Sequence, residues 1–86
     1  MLEYEVKIEK SALKSLRKLP EYERLKIMAQ VRALTNNPRP SGHIKLTGID
    51  KTYRIRIGDY RIIYEIHDGI LLVMVVRVDH RKNVYR

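Results

Sequence analysis

Near the N-terminus, Tyr4-Glu5-Val6-Lys7-Ile8-Glu9 alternates apolar and polar residues with a period of two, the pattern of a half-buried strand. Ser11 follows as an expected N-cap, its hydroxyl placed to accept the free N–H groups that begin a helix. Leu13, Leu16 and Leu19 line one side of that short helix, and Pro20 closes it. A second helix is predicted from about Glu21 to Leu34. Glu21 and Glu23 suit its positive N-terminal end, and Leu25, Met28 and Ala29 with Ile27, Val31 and Leu34 give a broad apolar face. Asn36, Asn37, Pro38, Pro40, Ser41 and Gly42 then interrupt all periodicity and predict a loop, which carries Arg39, His43 and Lys45.

The stretch from Thr52 to Tyr64 returns to period two on both sides of Gly58-Asp59, and so predicts a hairpin with a two-residue type II′ turn. That turn sets the register. Ile57 stands opposite Tyr60, Arg56 opposite Arg61, Ile55 opposite Ile62, Arg54 opposite Ile63 and Tyr53 opposite Tyr64. The tyrosines and Ile55, Ile57 and Ile62 share a core face, while Arg54, Arg56 and Arg61 share the other. Like charges directly across a ladder are unfavourable, so the pair Arg56 and Arg61 points to an anionic partner. Asp68-Gly69 predicts a second tight turn. The apolar run Leu71 to Val78 reads as a strand buried on both faces, followed by a basic tail, VDHRKNVYR.

These elements make an α+β domain over residues 1–86: an N-terminal strand, a two-helix hairpin, and a three-stranded antiparallel meander with the helices packed on one sheet face. The opposite face would show the three arginines beside Ile63, Met74 and Val76. A surface that is half cationic and half apolar suits binding better than bare solvent.

Charge sharpens this reading. The net charge is +8 with a pI near 10.0, which favours polyanionic partners, and the excess sits on the helices, the hairpin and the tail. With no cysteine, neither a disulfide framework nor a thiolate metal site is open to the chain. Its three histidines are scattered, so no metal or other cofactor is expected. The run Ile70 to Val76 is too short to cross a bilayer, and a cytoplasmic protein is expected.

Taken together, ALKSLRKLP, a loop leading to KLTG, YRIRIGDYRIIYEI and LLVMVVRVDHRKNVYR closely resemble the RelE/ParE superfamily of type II toxin–antitoxin toxins, and within it the RelE-like mRNA interferases. The resemblance spans the whole chain. It implies a RelE-like fold and a metal-independent endoribonuclease that cuts mRNA in the ribosomal A site. It further implies silencing by a cognate antitoxin, acidic and partly disordered when free, with operator DNA reached only through the antitoxin complex. Carried over by position, it marks Arg61 and Arg81 as catalytic cations and Tyr85 as a catalytic side chain. Arg54 and Arg56 stand where such enzymes hold a lysine pair, and arginine, unlike lysine, cannot give up its proton to act as a base.

Metal-free RNA cleavage needs a base for the 2′-hydroxyl, cations for the phosphorane and an acid for the leaving oxygen. Arg54, Arg56, Arg61 and Arg81 suit the cationic role, with Lys82 and Arg86 extending the RNA-binding surface. The base is open between His80, which titrates near neutrality, and Tyr85, with ribosomal RNA as a third contributor. Ile63, Met74 and Val76 are the expected antitoxin-binding residues. Two other functions fit the same resemblance: a ParE-like inhibitor of DNA gyrase without nuclease activity, and an RNA-binding member that does not cut.

Overall fold

A computed structural model describes residues 3–80. Strand β1 (Glu5–Ile8) leads into helices α1 (Lys10–Arg17) and α2 (Glu21–Ala33). A short strand β2 (Ile44–Lys45) precedes the hairpin of β3 (Thr52–Ile57) and β4 (Tyr60–His67), and β5 (Leu72–His80) follows. The sheet order is β1-β5-β4-β3-β2. The meander is antiparallel as expected, and it is extended at both edges: β1 pairs with β5 in parallel, and the breaker-rich loop contributes β2 against β3. No helix of the described residues is long and apolar enough to cross a membrane.

The hairpin register is the one dictated by a two-residue turn, from Ile57 opposite Tyr60 to Tyr53 opposite Tyr64. Gly58 takes φ +58° while Asp59 does not enter the positive-φ region, as a type II′ turn requires. Tyr53, Tyr60 and Tyr64 are core residues. They meet Ala12 and Leu16 of α1 and Ile27, Val31 and Leu34 of α2 with its C-cap, so both helices cover the tyrosine face.

Several local expectations are corrected. The N-cap of α1 is Glu9, with no side-chain capping bond, and Ser11 lies inside the first turn, where its carbonyl accepts a bond from the Ser15 hydroxyl at 3.2 Å. On α2 only the Ile27, Val31, Leu34 stripe is fully buried; Leu25 is 55% exposed and Ala29 is also exposed. A single helix against one sheet face can bury only a narrow stripe, so the wide apolar face is partly spent on solvent. Asp68-Gly69 does not form a primed turn: residues Asp68–Ile70 make a 3₁₀ turn, and the positive φ falls on Leu71 at +52°. Strand β5 is buried on one face, with Val73, Val75 and Val78 inside and Leu72, Met74 and Val76 half-buried on the other.

Lys51 also sits in the left-handed region, at φ +60°, with its side chain exposed and its carbonyl accepting the Ile66 N–H at 2.9 Å. The left-handed conformation costs a residue with a Cβ about 1–2 kcal/mol, while glycine brings about 0.5–1 kcal/mol of extra chain entropy. Lys51→Gly is therefore expected to raise stability by about 0.5–1 kcal/mol. A urea midpoint below that of the parent chain would contradict this.

Candidate nucleic-acid interface

The sheet face turned away from the helices carries the hairpin arginines. Arg54, half-buried, lies between Ile44 of β2 and Ile63 of β4; Arg56, exposed, lies across from Arg61. Arg61 is 7% exposed. Arg54 and Arg61 line one open groove of about 420 Å³, whose apolar wall includes Leu46, Ile49, Ile63 and Val76. Arg56 instead borders a neighbouring hollow beside Pro40, Ser41 and Gly42. Two of the three hairpin arginines are thus brought together at one site, and the third stands at its margin.

A β-bulge decides the rest of the lining. Along β5, Ile63 pairs with Arg77 but Tyr64 pairs with Val75, so Val76 has no residue opposite it. Simple alternation from Val73 and Val75 would have turned Arg77 and Asp79 into the core. The extra residue reverses the phase: Val78 goes inside, and Val76, Arg77 and Asp79 all line the groove. Asp79 then stands directly across from Arg61. Its Oδ2 lies 3.0 Å from Arg77 Nε, with Asp79 22% and Arg77 69% exposed. With Glu65 on the same wall, three guanidiniums face two carboxylates, and the groove keeps an excess of one positive charge. Arg77 and Asp79 carried no sequence signal, because the bulge that exposes them depends on pairing with β4.

His80 is placed elsewhere. It pairs with Tyr60, whose side chain belongs to the core face, and packs edge-on against that ring at 5.0 Å and 85°. The structure therefore sets His80 on the sheet face opposite Arg56 and Arg61. Arg81, Lys82, Tyr85 and Arg86 lie outside the described residues. Of the apolar positions, Ile63 and Val76 line the groove itself, and Met74 lies on the same face opposite Glu65. Among the described residues no group of histidine and carboxylate side chains is arranged to hold a metal.

The long loop is fastened to the opposite end of the sheet. Arg39 reaches Asp68 at 2.8 Å and the Tyr53 hydroxyl at 3.4 Å, and its guanidinium lies 5.3 Å from the centre of the Tyr53 ring. The Tyr4 hydroxyl donates to Asp68 as well. Together, the Arg39 guanidinium and the Tyr4 hydroxyl hold the Asp68 carboxyl below its ordinary range, the arginine being the larger cause. Beneath them the fully buried Tyr64 hydroxyl donates to the Pro38 carbonyl at 2.8 Å. Burial pushes the Tyr64 phenol up to about 12, against a smaller opposing effect of Arg39. His43, half-buried, places Nδ1 2.8 Å from the Pro40 carbonyl. These contacts fix the loop that leads into β2 and hence the wall of the groove. They were missed in the sequence because they join residues up to 64 positions apart.

Comparison with known proteins gives a consistent picture. Residues 6–85 match the family model described as the ParE toxin of the type II toxin–antitoxin system parDE. The chain is 33% identical to Toxin RelG of Mycobacterium tuberculosis, over 96% of this chain and 97% of that one. Among solved structures, it is similar to the archaeal RelE–RelB complex from Pyrococcus horikoshii, with a TM-score of 0.83 and 31% identity, covering 94% of this chain and 97% of that one. For the intact RelBE toxin–antitoxin complex of Escherichia coli the TM-score is 0.78 at 28% identity, covering 90% and 95%.

Proposed function

Because this chain belongs to the RelE/ParE superfamily of type II toxin–antitoxin toxins, we propose that it is a RelE-like toxin that works as a ribosome-dependent endoribonuclease on mRNA, held silent by its own antitoxin. The observation that carries this reading is the groove in which Arg54 and Arg61 converge on the helix-free face. Guanidinium groups bind phosphate through paired, parallel N–H bonds, and preorganised cations stabilise the charge that builds on phosphorus as a 2′-oxygen attacks it. In this reading the arginines supply that charge without a metal. Arg81 and Tyr85, carried by resemblance, complete the set.

The same face explains why an antitoxin would silence the toxin. Ile63, Val76 and Met74 lie beside or within the cationic groove, so a segment seated on them would cover the arginines too. An acidic partner complements the net charge of +8. RelE relatives are seen in complexes with RelB, which supports a partner of this type.

Primer extension on a translated and an untranslated copy of one transcript, after induction of the chain in a bacterial host, tests the proposal. Cuts confined to the translated copy are expected. Growth arrest with intact message would overturn the nuclease reading and favour gyrase inhibition, which the ParE family description makes the second candidate; a supercoiling assay would then decide.

A further inference from the structure

Cleavage by a 2′-hydroxyl needs a group to take its proton, and the groove limits the choice. Its basic lining residues are all arginines, Arg54, Arg61 and Arg77, and a guanidinium does not accept a proton at any working pH. His80 is on the other face of the sheet. Tyr85 lies outside the described residues; among those described, two carboxylates line the groove. Glu65 lies toward the far end, across from Thr52 and Met74, and its Oε1 is held by His67 Nε2 at 2.9 Å. Asp79 stands directly across from Arg61, half-buried, with Oδ2 on Arg77.

We propose that Asp79 is the general base of this chain, taking the 2′-hydroxyl proton of a phosphodiester that is held by Arg61. The assignment rests on the ribonuclease reading above and deepens it. In the step, the proton of the 2′-hydroxyl passes to the Asp79 carboxylate and the 2′-oxygen bonds to phosphorus. The bond from phosphorus to the 5′-oxygen breaks, its electron pair stays on that oxygen, and a proton from water completes the 5′-hydroxyl. The other product is a 2′,3′-cyclic phosphate. A carboxylate is an acceptor at neutral pH without further activation. Among the described residues, Arg61 of β4 stands across the ladder from Asp79, Arg77 pairs with it on its own strand, and Arg54 and Glu65 line the same groove. Helix α1 brings only Ser11, Ala12 and Ser15 to the hollow beside it. Arg77 holds the Asp79 carboxylate and Arg61 stands across the ladder from it, which sets proton acceptor and charge stabiliser side by side.

The test is single-turnover cleavage of mRNA on programmed ribosomes, with binding of a short RNA to the free chain measured separately. Asp79→Asn is expected to cut about 10²–10⁴-fold more slowly. Its RNA affinity should stay level or rise, since one negative charge leaves a cationic groove. Asp79→Glu should recover much of the rate, and added formate should partly restore cutting by Asp79→Gly. If Asp79→Asn cuts as fast as the parent chain, or loses RNA binding in step with rate, Asp79 is at most a counter-ion for Arg61 and the proposal fails. Should the unmodified chain cut no message on ribosomes, the ribonuclease reading fails first and the base assignment with it.

Discussion

Arg61→Ala is expected to lower the rate of mRNA cleavage by about 10²–10³-fold, the size of effect seen when one preorganised charge-stabilising donor is removed. The residue is 7% exposed and flanked across the ladder by Arg56 on one side and Asp79 on the other. A guanidinium held that deeply has already lost most of its hydration, so its attraction for a phosphate is stronger than that of a mobile surface cation. Arg61→Lys keeps the charge but loses the paired N–H geometry, and partial recovery is expected. The exposed Arg56 lies outside the groove lining, and Arg56→Ala should act mainly on RNA affinity and its salt dependence. A folded Arg61→Ala variant with the parent rate in single-turnover cleavage would remove Arg61 from the site.

The hairpin was legible because two constraints agreed: the Gly58-Asp59 turn fixes the register, and strict alternation fixes the faces. Every pair anticipated from Ile57–Tyr60 to Tyr53–Tyr64 is present. Arg54 and Arg61 followed from the same rule. The strand β5 was expected over Leu71 to Val78, but its two faces were not legible, since its apolar run Leu71 to Val76 shows no alternation. Its two faces emerge only when β1 and β4 pair on either side and the bulge at Val76 shifts the phase. Asp79 depends on that shift, and His80 is carried to the core face by it. Short-range signals also misled at two places. Ser11 has the chemistry of a cap, yet the Leu13 N–H bonds to the Glu9 carbonyl at 2.9 Å and starts the helix earlier. In the Asp68-Gly69 turn, Asp68 is drawn to Arg39 and Tyr4 from distant parts of the chain.

Removing the Tyr64 side chain should unfold much of this architecture. The ring is fully buried, stacks on Tyr53 at 6.0 Å and 27°, and anchors the Pro38 carbonyl through its hydroxyl. Tyr64→Ala is expected to cost about 3–5 kcal/mol as lost burial and a residual cavity. For a domain of this size that corresponds to a fall in Tm of about 12–40 °C. Tyr64→Phe isolates the hydroxyl: it leaves the Pro38 carbonyl without its donor, at about 1–2 kcal/mol. The two variants also separate in their response to base. With its phenol raised from 10.0 to about 12, Tyr64 favours the folded state fully below pH 10, and that contribution is lost as pH climbs from 10 towards 12. The parent chain should therefore lose stability across that window more steeply than Tyr64→Phe, which has no proton there to lose. Parallel curves for the two in alkaline urea titrations would mean that the phenol is not held neutral by burial. The loop carrying Pro38 and Arg39 would then be tied to the sheet chiefly through Asp68 and Tyr53.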